Sequence, residues 1–215
     1  MKLSQVINRK AKEYLTRSGD APFSDWLAKL KDVRGQAKIT KAITQMETGN
    51  FGDHKSVKQS GGLYERRINF GPGYRIYYML DGENLIILFA GSSKSDLQKV
   101  IQRAKVTNMP LTKEFKDTVM ELCKDPEYRK ALLLEALESY LEDDIAVGNS
   151  LLRDYLNGTQ AFGEVAAELQ MKESGLRRMV GPNGNATAKK LFGLFKVCQN
   201  REGIHSADQF MGSAA

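Results

Sequence analysis

The spacing of hydrophobic residues changes once within the first half of the chain. Before Gly49, apolar side chains recur every three or four positions, which predicts helices; from about residue 63 they alternate in steps of two, which predicts strands. Glycine and proline at 19–22, 71–73 and 81–82 predict the breaks and turns between these elements. The predicted elements are a helix over 3–15, or a helix followed by a strand near 13–18; helices over 22–30 and 34–47; strands over 63–70, 74–80 and 84–90; and a helix over 95–106.

The third predicted strand differs from the other two. Residues 85–90 are apolar without interruption, whereas the first two strands mix charged and apolar side chains on both faces. A strand that is apolar on both faces is typical of the interior of a covered sheet. We therefore expect this strand to lie at the centre of the sheet.

The second half of the chain has helical spacing throughout. The predicted helices cover 112–122, 126–141, 144–158, 160–169, 173–180 and 185–200. Residues typical of helix starts precede four of them: Asp125-Pro126, Asp143-Asp144, Thr159 and Asn185. The fourth and fifth helices are short and closely spaced, and the fifth carries Arg177 and Arg178. This arrangement predicts a helix-turn-helix whose second helix enters a DNA major groove.

The two halves also differ in charge. Residues 1–108 carry 19 lysines and arginines against 10 acidic residues, and residues 109–215 carry 13 against 16. The net charge therefore changes from +9 to −3 at 107–110, where Met109 resembles a second start. A basic half is typical of nucleic-acid binding, and an acidic half is suited to covering it. We predict domains over 1–108 and 109–205, followed by a tail over 206–215.

Composition excludes several classes of protein. The longest apolar run, 85–90, is too short to cross a bilayer, and the first residues lack the apolar segment of a signal peptide. Two cysteines and two histidines, widely spaced, provide no metal site and fit a reducing cytoplasm. The sequence has no glycine-rich phosphate loop and no nucleophile triad, which argues against a small-molecule enzyme. We expect a cytoplasmic protein with no cofactor, no metal and no membrane partner.

Five short motifs in the first half resemble the RelE/ParE superfamily of toxins, and within it the HigB-like addiction-module killer proteins. They lie between residues 12 and 106: Phe-Ser-Asp-Trp-Leu at 23–27, Gly-Asn-Phe-Gly-Asp at 49–53, Glu-Arg-Arg-Ile at 65–68, Gly-Pro-Gly-Tyr-Arg-Ile-Tyr-Tyr at 71–78 and Lys-Ser at 94–95. The resemblance implies helices packed on an antiparallel sheet. It also implies metal-independent cleavage of ribosome-bound messenger RNA, in which a ribose 2′-hydroxyl attacks the neighbouring phosphate.

The resemblance implies roles for particular residues. Arg67 and Arg75 would stabilise the phosphate in the transition state, since the planar fork of arginine suits that charge. Lys94 would contact a phosphate or assist the leaving group. The predicted RNA-binding residues are His54, Lys55, Lys58, Tyr74 and Tyr78, of which either tyrosine would stack on a base.

Other interpretations of these residues stay open. RNA-cleaving relatives often carry a tyrosine or histidine in the last helix, and the corresponding predicted helix here contains neither, so the general base is unassigned. His54 is alternatively an exposed loop residue. Arg67 and Arg75 alternatively form ion pairs with Glu65 or Asp81 on a solvated face of the sheet.

The second half resembles HigA-like antidote proteins of the Xre-type helix-turn-helix class over residues 109–204. The motifs that carry this resemblance are Leu-Thr-Lys-Glu-Phe-Lys-Asp at 111–117, Leu-Arg-Asp-Tyr at 152–155, residues 174–179, Gly-Pro-Asn-Gly-Asn at 181–185, and residues 191–192. The DNA-binding residues it implies are Lys172, Ser174, Arg177 and Arg178. Gln170 stands where such turns usually have glycine, which adopts a positive φ easily.

Together the two resemblances predict an α+β protein that is a toxin–antitoxin module in one chain. The first half would be an endoribonuclease, and the second its inhibitor and a transcriptional repressor. The alternatives are a gyrase-poisoning toxin of the ParE type, or a DNA-binding repressor whose first half is not catalytic. The sequence leaves open whether the fusion is natural or deliberate.

The predicted module has three kinds of partner. They are ribosome-bound messenger RNA, operator DNA and the opposite half of the module, contacted in cis or in trans. Helix-turn-helix units bind two-fold DNA sites as dimers, so we also expect a homo-oligomer.

Overall fold

The computed structural model describes residues 9–82, 85–91 and 111–206. The chain forms two compact units, Met1–Thr118 and Val119–Ala215. The first combines helices with a β-sheet, and the second is helical in its described residues. The chain is therefore a mixed α+β protein, which confirms the predicted class. The sequence predicts a domain boundary after Asn108, whereas the division between the two units falls after Thr118 in the chain.

Two helices of the first unit lie close to their predicted positions. Helix α1 (Pro22–Ala28) starts with a proline, whose fixed φ suits the first helical turn. Helix α2 (Val33–Glu47) starts after Asp32, whose carboxylate accepts a hydrogen bond from the Gly35 backbone N–H at 2.9 Å. Gly49 follows α2 with a φ of 95°, a conformation that glycine adopts without strain at the end of a helix.

Six strands form one mixed sheet in the first unit. They are β1 (Lys10–Leu15), β2 (His54–Ser56), β3 (Tyr64–Ile68), β4 (Tyr74–Asp81), β5 (Leu85–Gly91) and β6 (Leu111–Glu114). Their spatial order is β2-β3-β4-β5-β1-β6, with β1 and β5 parallel and the other neighbours antiparallel. The uninterrupted apolar segment is β5, which lies between β4 and β1, so its predicted interior position is confirmed.

Three strands depart from the expectations. Strand β1 agrees with the alternative that placed a strand late in the first segment, but it begins at Lys10 rather than near residue 13. Strands β2 and β6 have three and four residues and are too short and polar to show a periodicity of two. The helix predicted to begin at residue 112 begins at Phe115, because residues 111–114 pair with β1 instead.

The core of the first unit lies between helices α1 and α2 and one face of the sheet. Its fully buried residues include Phe23, Leu27, Ile39, Ile43, Met46, Ile76, Tyr78 and Leu88. Burial of each large apolar side chain contributes about 1.5–3 kcal/mol. This packing fixes β3 and β4, which carry the predicted arginines. The helix predicted over 95–106 and the candidate Lys94 lie outside the described residues.

Within residues 111–206, the helices agree with the sequence prediction in number and order. They are α3 (Phe115–Leu122), which crosses the boundary between the units, α4 (Pro126–Leu141), α5 (Ile145–Gly158), α6 (Phe162–Glu168), α7 (Glu173–Met179) and α8 (Ala188–Arg201). Two predicted caps are confirmed: the Asp125 carboxylate accepts from the Glu127 N–H at 2.9 Å, and the Asp144 carboxylate accepts from the Val147 N–H at 3.4 Å.

Two other predicted caps are wrong. Thr159 ends α5 rather than starting α6, and its hydroxyl donates to the Tyr155 carbonyl at 2.8 Å. Helix α6 instead starts after Ala161, and α8 starts after Thr187 rather than Asn185. Neither new cap residue makes a side-chain capping hydrogen bond, so the sequence held no capping signal for these starts.

No helix within residues 9–82, 85–91 and 111–206 is both long enough and apolar enough to cross a membrane.

Candidate nucleic-acid interfaces

The predicted arginine pair is brought together by the register of two strands. Strands β3 and β4 pair antiparallel across the turn at 71–73, and Arg67 lies directly opposite Arg75. Residues directly opposite each other share a face of the sheet, with side chains close enough to act on one group. The side chain of Arg67 is 36% exposed and that of Arg75 is 23% exposed, so both reach solvent.

A carboxylate lies between the two arginines. Glu65 Oε1 is 3.2 Å from Arg67 Nε and 3.3 Å from Arg75 Nε, and Asp53 Oδ2 is 3.4 Å from Arg67 Nη1. The alternative of ion pairing with Glu65 is therefore what the structure contains, and Asp53 takes the place suggested for Asp81. Two cations and two anions compensate each other, which explains how like charges lie side by side.

The ion pairs with Glu65 and Asp53 engage only part of each guanidinium group. Each guanidinium has five N–H donors, and the contacts with Glu65 use the Nε side of both arginines. The ion pairs among the described residues engage Nε of both arginines and Nη1 of Arg67, and they do not involve the Nη atoms of Arg75. A phosphate approaching this face would meet donors already oriented by a buried carboxylate.

The sheet separates the remaining predicted RNA-binding residues. His54 lies opposite Arg66, one residue from Arg67, so its side chain is on the other face from the arginine pair. Lys55 lies opposite Glu65 and shares the face of the pair. His54 and Lys55 are exposed, as is Lys58 in the loop after β2. The structure therefore groups Lys55 with the arginines and places His54 apart from them.

Tyr74 and Tyr78, predicted to stack on a base, are both buried in the structure. Tyr74 is 7% exposed, and its hydroxyl donates to Asp32 Oδ2 at 2.6 Å; burial first and this carboxylate second raise the pKa of Tyr74 to about 12. Tyr78 is 1% exposed and is stacked between Phe51 and Tyr64, with ring centroids 5.8 and 5.5 Å away. Both rings are occupied by the protein's own contacts.

Arg66 has a structural role that the sequence did not reveal. It is 6% exposed, and its Nη1 donates to the carbonyls of Ala42 (2.6 Å) and Asn50 (2.9 Å), while Nη2 donates to Gln45 Oε1 (2.6 Å). Burial lowers the pKa of Arg66 to about 10. Arg66 ties β3 to α2, and strand alternation was the signal that it points away from Arg67.

The second unit contains two short helices at close spacing. Helices α6 and α7 are joined by Leu169–Lys172, a connection of four residues that agrees with the predicted turn. Gln170 within it has a φ of 53°, the left-handed conformation for which glycine was expected. The left-handed conformation of a non-glycine residue costs about 1 kcal/mol, which the chain tolerates at this turn.

The four predicted DNA-binding residues lie at or within α7, and all are exposed: Lys172, Ser174, Arg177 and Arg178. Arg177 has partners, because its Nε lies 2.7 Å from Glu173 Oε1 and its guanidinium lies 3.9 Å from the centre of the Phe162 ring. Arg178 has no ion pair in the described residues and lines a cleft of about 350 Å³ with Lys190 and Asn183. Of the two arginines, Arg178 is the better placed to contact a phosphate.

The loop after α7 is fixed by hydrogen bonds from the buried side-chain amide of Asn149. Asn149 is 2% exposed, and its Nδ2 donates to the carbonyls of Gly181 (3.2 Å) and Gly184 (3.0 Å). Its Oδ1 accepts from the Tyr140 hydroxyl at 2.5 Å. Arg153 Nη1 also donates to the Val180 carbonyl. These bonds fix the end of α7 and thus the orientation of its exposed face.

Other chemistry is not assembled in the described residues. No three histidine, cysteine, aspartate or glutamate side chains in this part of the chain come together as metal ligands. Cys123 and Cys198 are buried, and burial raises the pKa of each thiol to about 12. Neither sulfur is a thiolate at neutral pH, so neither is an activated nucleophile.

The chain was compared with protein-family models, with known proteins and with solved structures. No protein-family model matches the chain. No solved structure matches it. A Haemophilus influenzae protein described as an uncharacterized protein is 45% identical to it over 84 residues, which are 39% of this chain and 83% of the relative. The relative is therefore a much shorter protein, and this chain belongs to the same family as that uncharacterized Haemophilus influenzae protein.

Proposed function

We propose that this chain is a toxin–antitoxin module in one polypeptide. The first unit is a metal-independent endoribonuclease of the RelE/ParE type that acts on ribosome-bound messenger RNA. The second unit is its HigA-like antitoxin, which also binds operator DNA through α6 and α7 as a helix-turn-helix. The observation that carries the proposal is the cross-strand pair of Arg67 and Arg75 on a half-exposed face of the sheet.

The arginine pair suits phosphate chemistry. When a ribose 2′-hydroxyl attacks the adjacent phosphate, charge accumulates on the non-bridging oxygens of the phosphorane. Arg75 offers both Nη atoms to that charge, and Arg67 offers Nη2, while Glu65 holds the Nε sides in place. Preorganised donors of this kind typically contribute about 3–4 kcal/mol each to transition-state stabilisation. Glu65 is thus a positioning residue for the pair.

The proton transfers are not carried by the histidine of β2. His54 lies on the opposite face of the sheet from the arginines, and its Nδ1 is bonded to the Gly52 carbonyl at 3.1 Å. Lys55 shares the arginine face and is exposed, so it supplies a further cation for the RNA backbone. No general base is assigned among these residues.

The second unit supports the DNA-binding part of the proposal. A short helix, a four-residue turn and a second short helix with exposed cations form an arrangement suited to the major groove. Arg178 and Lys190 lie beside the same cleft, where each would contact the phosphate backbone. Arg177, bound to Glu173 and Phe162, would have to exchange these partners for DNA.

The length of the relative also supports a two-part module. An 84-residue part of this chain is 45% identical to the Haemophilus influenzae protein and covers 83% of that protein's length. Part of the chain thus has a counterpart that exists as a protein of its own. This is the expected relationship if two proteins have been joined.

The proposal is tested by expressing residues 1–118 in bacteria and mapping messenger RNA ends while growth is followed. The expected result is growth arrest with cleaved messenger RNA, both lost in Arg75→Ala. Lys10→Ala removes an exposed cation from β1 and should leave both effects intact. The full chain should neither arrest growth nor cleave RNA. Arrest that survives Arg75→Ala without RNA cleavage would instead indicate a gyrase poison.

A repressor with a non-catalytic first unit is the second candidate. The ion pairs of Arg67 and Arg75 with Glu65 and Asp53 favour it, because a charge-compensated cluster needs no bound anion. This candidate predicts that residues 1–118 leave growth and RNA unchanged. It also predicts that the full chain retards DNA from upstream of its own gene, with the retardation weakened in Arg178→Ala.

A further inference from the structure

Residues 111–118 follow the change in charge along the sequence, yet they are packed into the first unit. Strand β6 pairs antiparallel with β1, from Glu114 opposite Lys12 to Leu111 opposite Leu15. The first turn of α3 follows directly. A sheet made mainly by the first half is therefore completed at its β1 edge by residues of the predicted second half.

The segment brings an aromatic anchor to the first unit. Phe115 is 1% exposed, and its ring meets that of Phe23 edge to face at 5.9 Å. Phe23 is fully buried and in turn packs against Trp26 at 5.5 Å. Aromatic anchors of this kind supply much of the binding energy at protein interfaces. Phe115 therefore attaches the segment to α1 through a buried aromatic contact.

The segment also satisfies a buried carboxylate. Glu13 on β1 is fully buried and accepts hydrogen bonds from the Ser24 N–H (3.1 Å), the Ser24 hydroxyl and the Thr118 hydroxyl. The Ser24 and Thr118 hydroxyls lie 3.0 Å apart, so the three side chains form one network. A buried carboxylate that loses a donor is costly. Thr118 thus completes a polar site that the first half leaves unfinished.

Charges along the segment match those of the surface that it covers. Lys12 Nζ lies 3.1 Å from Glu114 Oε1, Lys113 Nζ lies 3.8 Å from Glu13 Oε2, and Lys116 Nζ lies 3.8 Å from Glu47 Oε2. In all three pairs, a charged side chain of the segment lies next to a side chain of opposite charge in the rest of the first unit. Complementary charge of this kind fixes the register of a bound strand.

We propose that Leu111–Thr118 is a docking segment, by which the second half binds the first as an added strand followed by a helical turn. The occupant of the β1 edge is thus a specific peptide of the antitoxin half, and the attachment does not require a continuous chain. Strand addition to a sheet edge is a recurring mode of peptide recognition. The segment would attach the two halves whether or not the first unit cleaves RNA.

The test cuts the folded full chain at a protease site inserted between Thr107 and Asn108, outside the described residues. After complete cleavage, checked on a denaturing gel, the two fragments should elute together in size-exclusion chromatography. Their dissociation constant is then measured with one fragment labelled. Phe115→Ala should weaken the association by more than about a hundredfold, from the loss of a buried aromatic anchor. Met120→Ala on the exposed side of the same helix should not change it.

A charge exchange separates docking from folding. Lys12 and Glu114 are partly exposed, so reversing either charge leaves the buried core unchanged. Lys12→Glu and Glu114→Lys should each weaken the association about five- to tenfold, and the double variant should restore it to within about twofold. The proposal would be overturned if the two fragments separated after cleavage. It would also be overturned if the single charge reversals did not weaken the association, or if the double variant did not restore it. Neither result depends on nuclease activity.

Discussion

Asn149 is the residue whose removal tests how the end of α7 and the following loop are held in place. Asn149→Ala deletes the two hydrogen bonds to the Gly181 and Gly184 carbonyls and the acceptor of the Tyr140 hydroxyl. Each bond contributes about 1 kcal/mol net, and a buried group left without a partner costs about 1–3 kcal/mol more. We therefore expect the second unit to lose about 3–4 kcal/mol of unfolding free energy, allowing for partial rehydration of Tyr140.

The two units can be followed separately in one denaturation experiment. The chain has one tryptophan, Trp26, which lies in α1 of the first unit, whereas most of the helices that the structure describes lie in the second. In urea, the transition seen by far-ultraviolet circular dichroism should shift to lower concentration in Asn149→Ala. The transition seen by Trp26 fluorescence should not move. Amide hydrogen exchange should also quicken in α7, whose end the loop fixes.

Asn183→Ala is the matched control. Asn183 is an exposed asparagine in the same loop, and its replacement should change stability by less than about 0.5 kcal/mol. The reasoning would be refuted if both variants behaved alike. It would also be refuted if Asn149→Ala shifted the Trp26 transition, because Asn149 would then act outside the second unit.

Two further predictions follow from steric and electrostatic details. A Cβ at Gly184 would lie 2.0 Å from the Met179 carbonyl oxygen, so Gly184→Ala should destabilise the second unit by about 3 kcal/mol or more and weaken the proposed DNA binding. A Cβ at Gly163 would lie 3.5 Å from Glu173 Oε2, an ordinary van der Waals contact, so Gly163→Ala should gain up to about 1 kcal/mol. Equal urea midpoints for the two variants would contradict this. Burial raises the pKa of Glu13 above its usual 4.5, so the folded state favours the protonated carboxyl more than the unfolded state does. The contribution of Glu13 to the unfolding free energy is therefore lost as the pH rises through the raised pKa. Glu13→Gln should therefore be more stable than wild type near pH 7 in Trp26-monitored unfolding. This advantage should shrink as the pH falls toward 4.5, and a difference independent of pH would be inconsistent with it.

Local patterns in the sequence predicted most of the helices, and part of the candidate site. The apolar spacing of α2 and the Asp125-Pro126 start of α4 are signals contained within one segment, so they could be recognised without knowledge of the fold. The tight turn at 71–73 likewise fixed the pairing of β3 with β4, and with it the meeting of Arg67 and Arg75. The exposed cations of α7 followed from helical spacing in the same way.

Long-range pairing decided the rest. β6 is a strand because β1 lies beside it, although its own residues continue a helical pattern, and this pairing also moved the unit boundary from Asn108 to Thr118. The placement of Glu65 between two arginines and the burial of Tyr74 likewise depend on neighbours distant in sequence. By itself the sequence determined the elements whose hydrogen bonds and apolar stripes are local. Only the tertiary structure decided which edges, charges and rings find partners, because those free energies depend on residues far away along the chain.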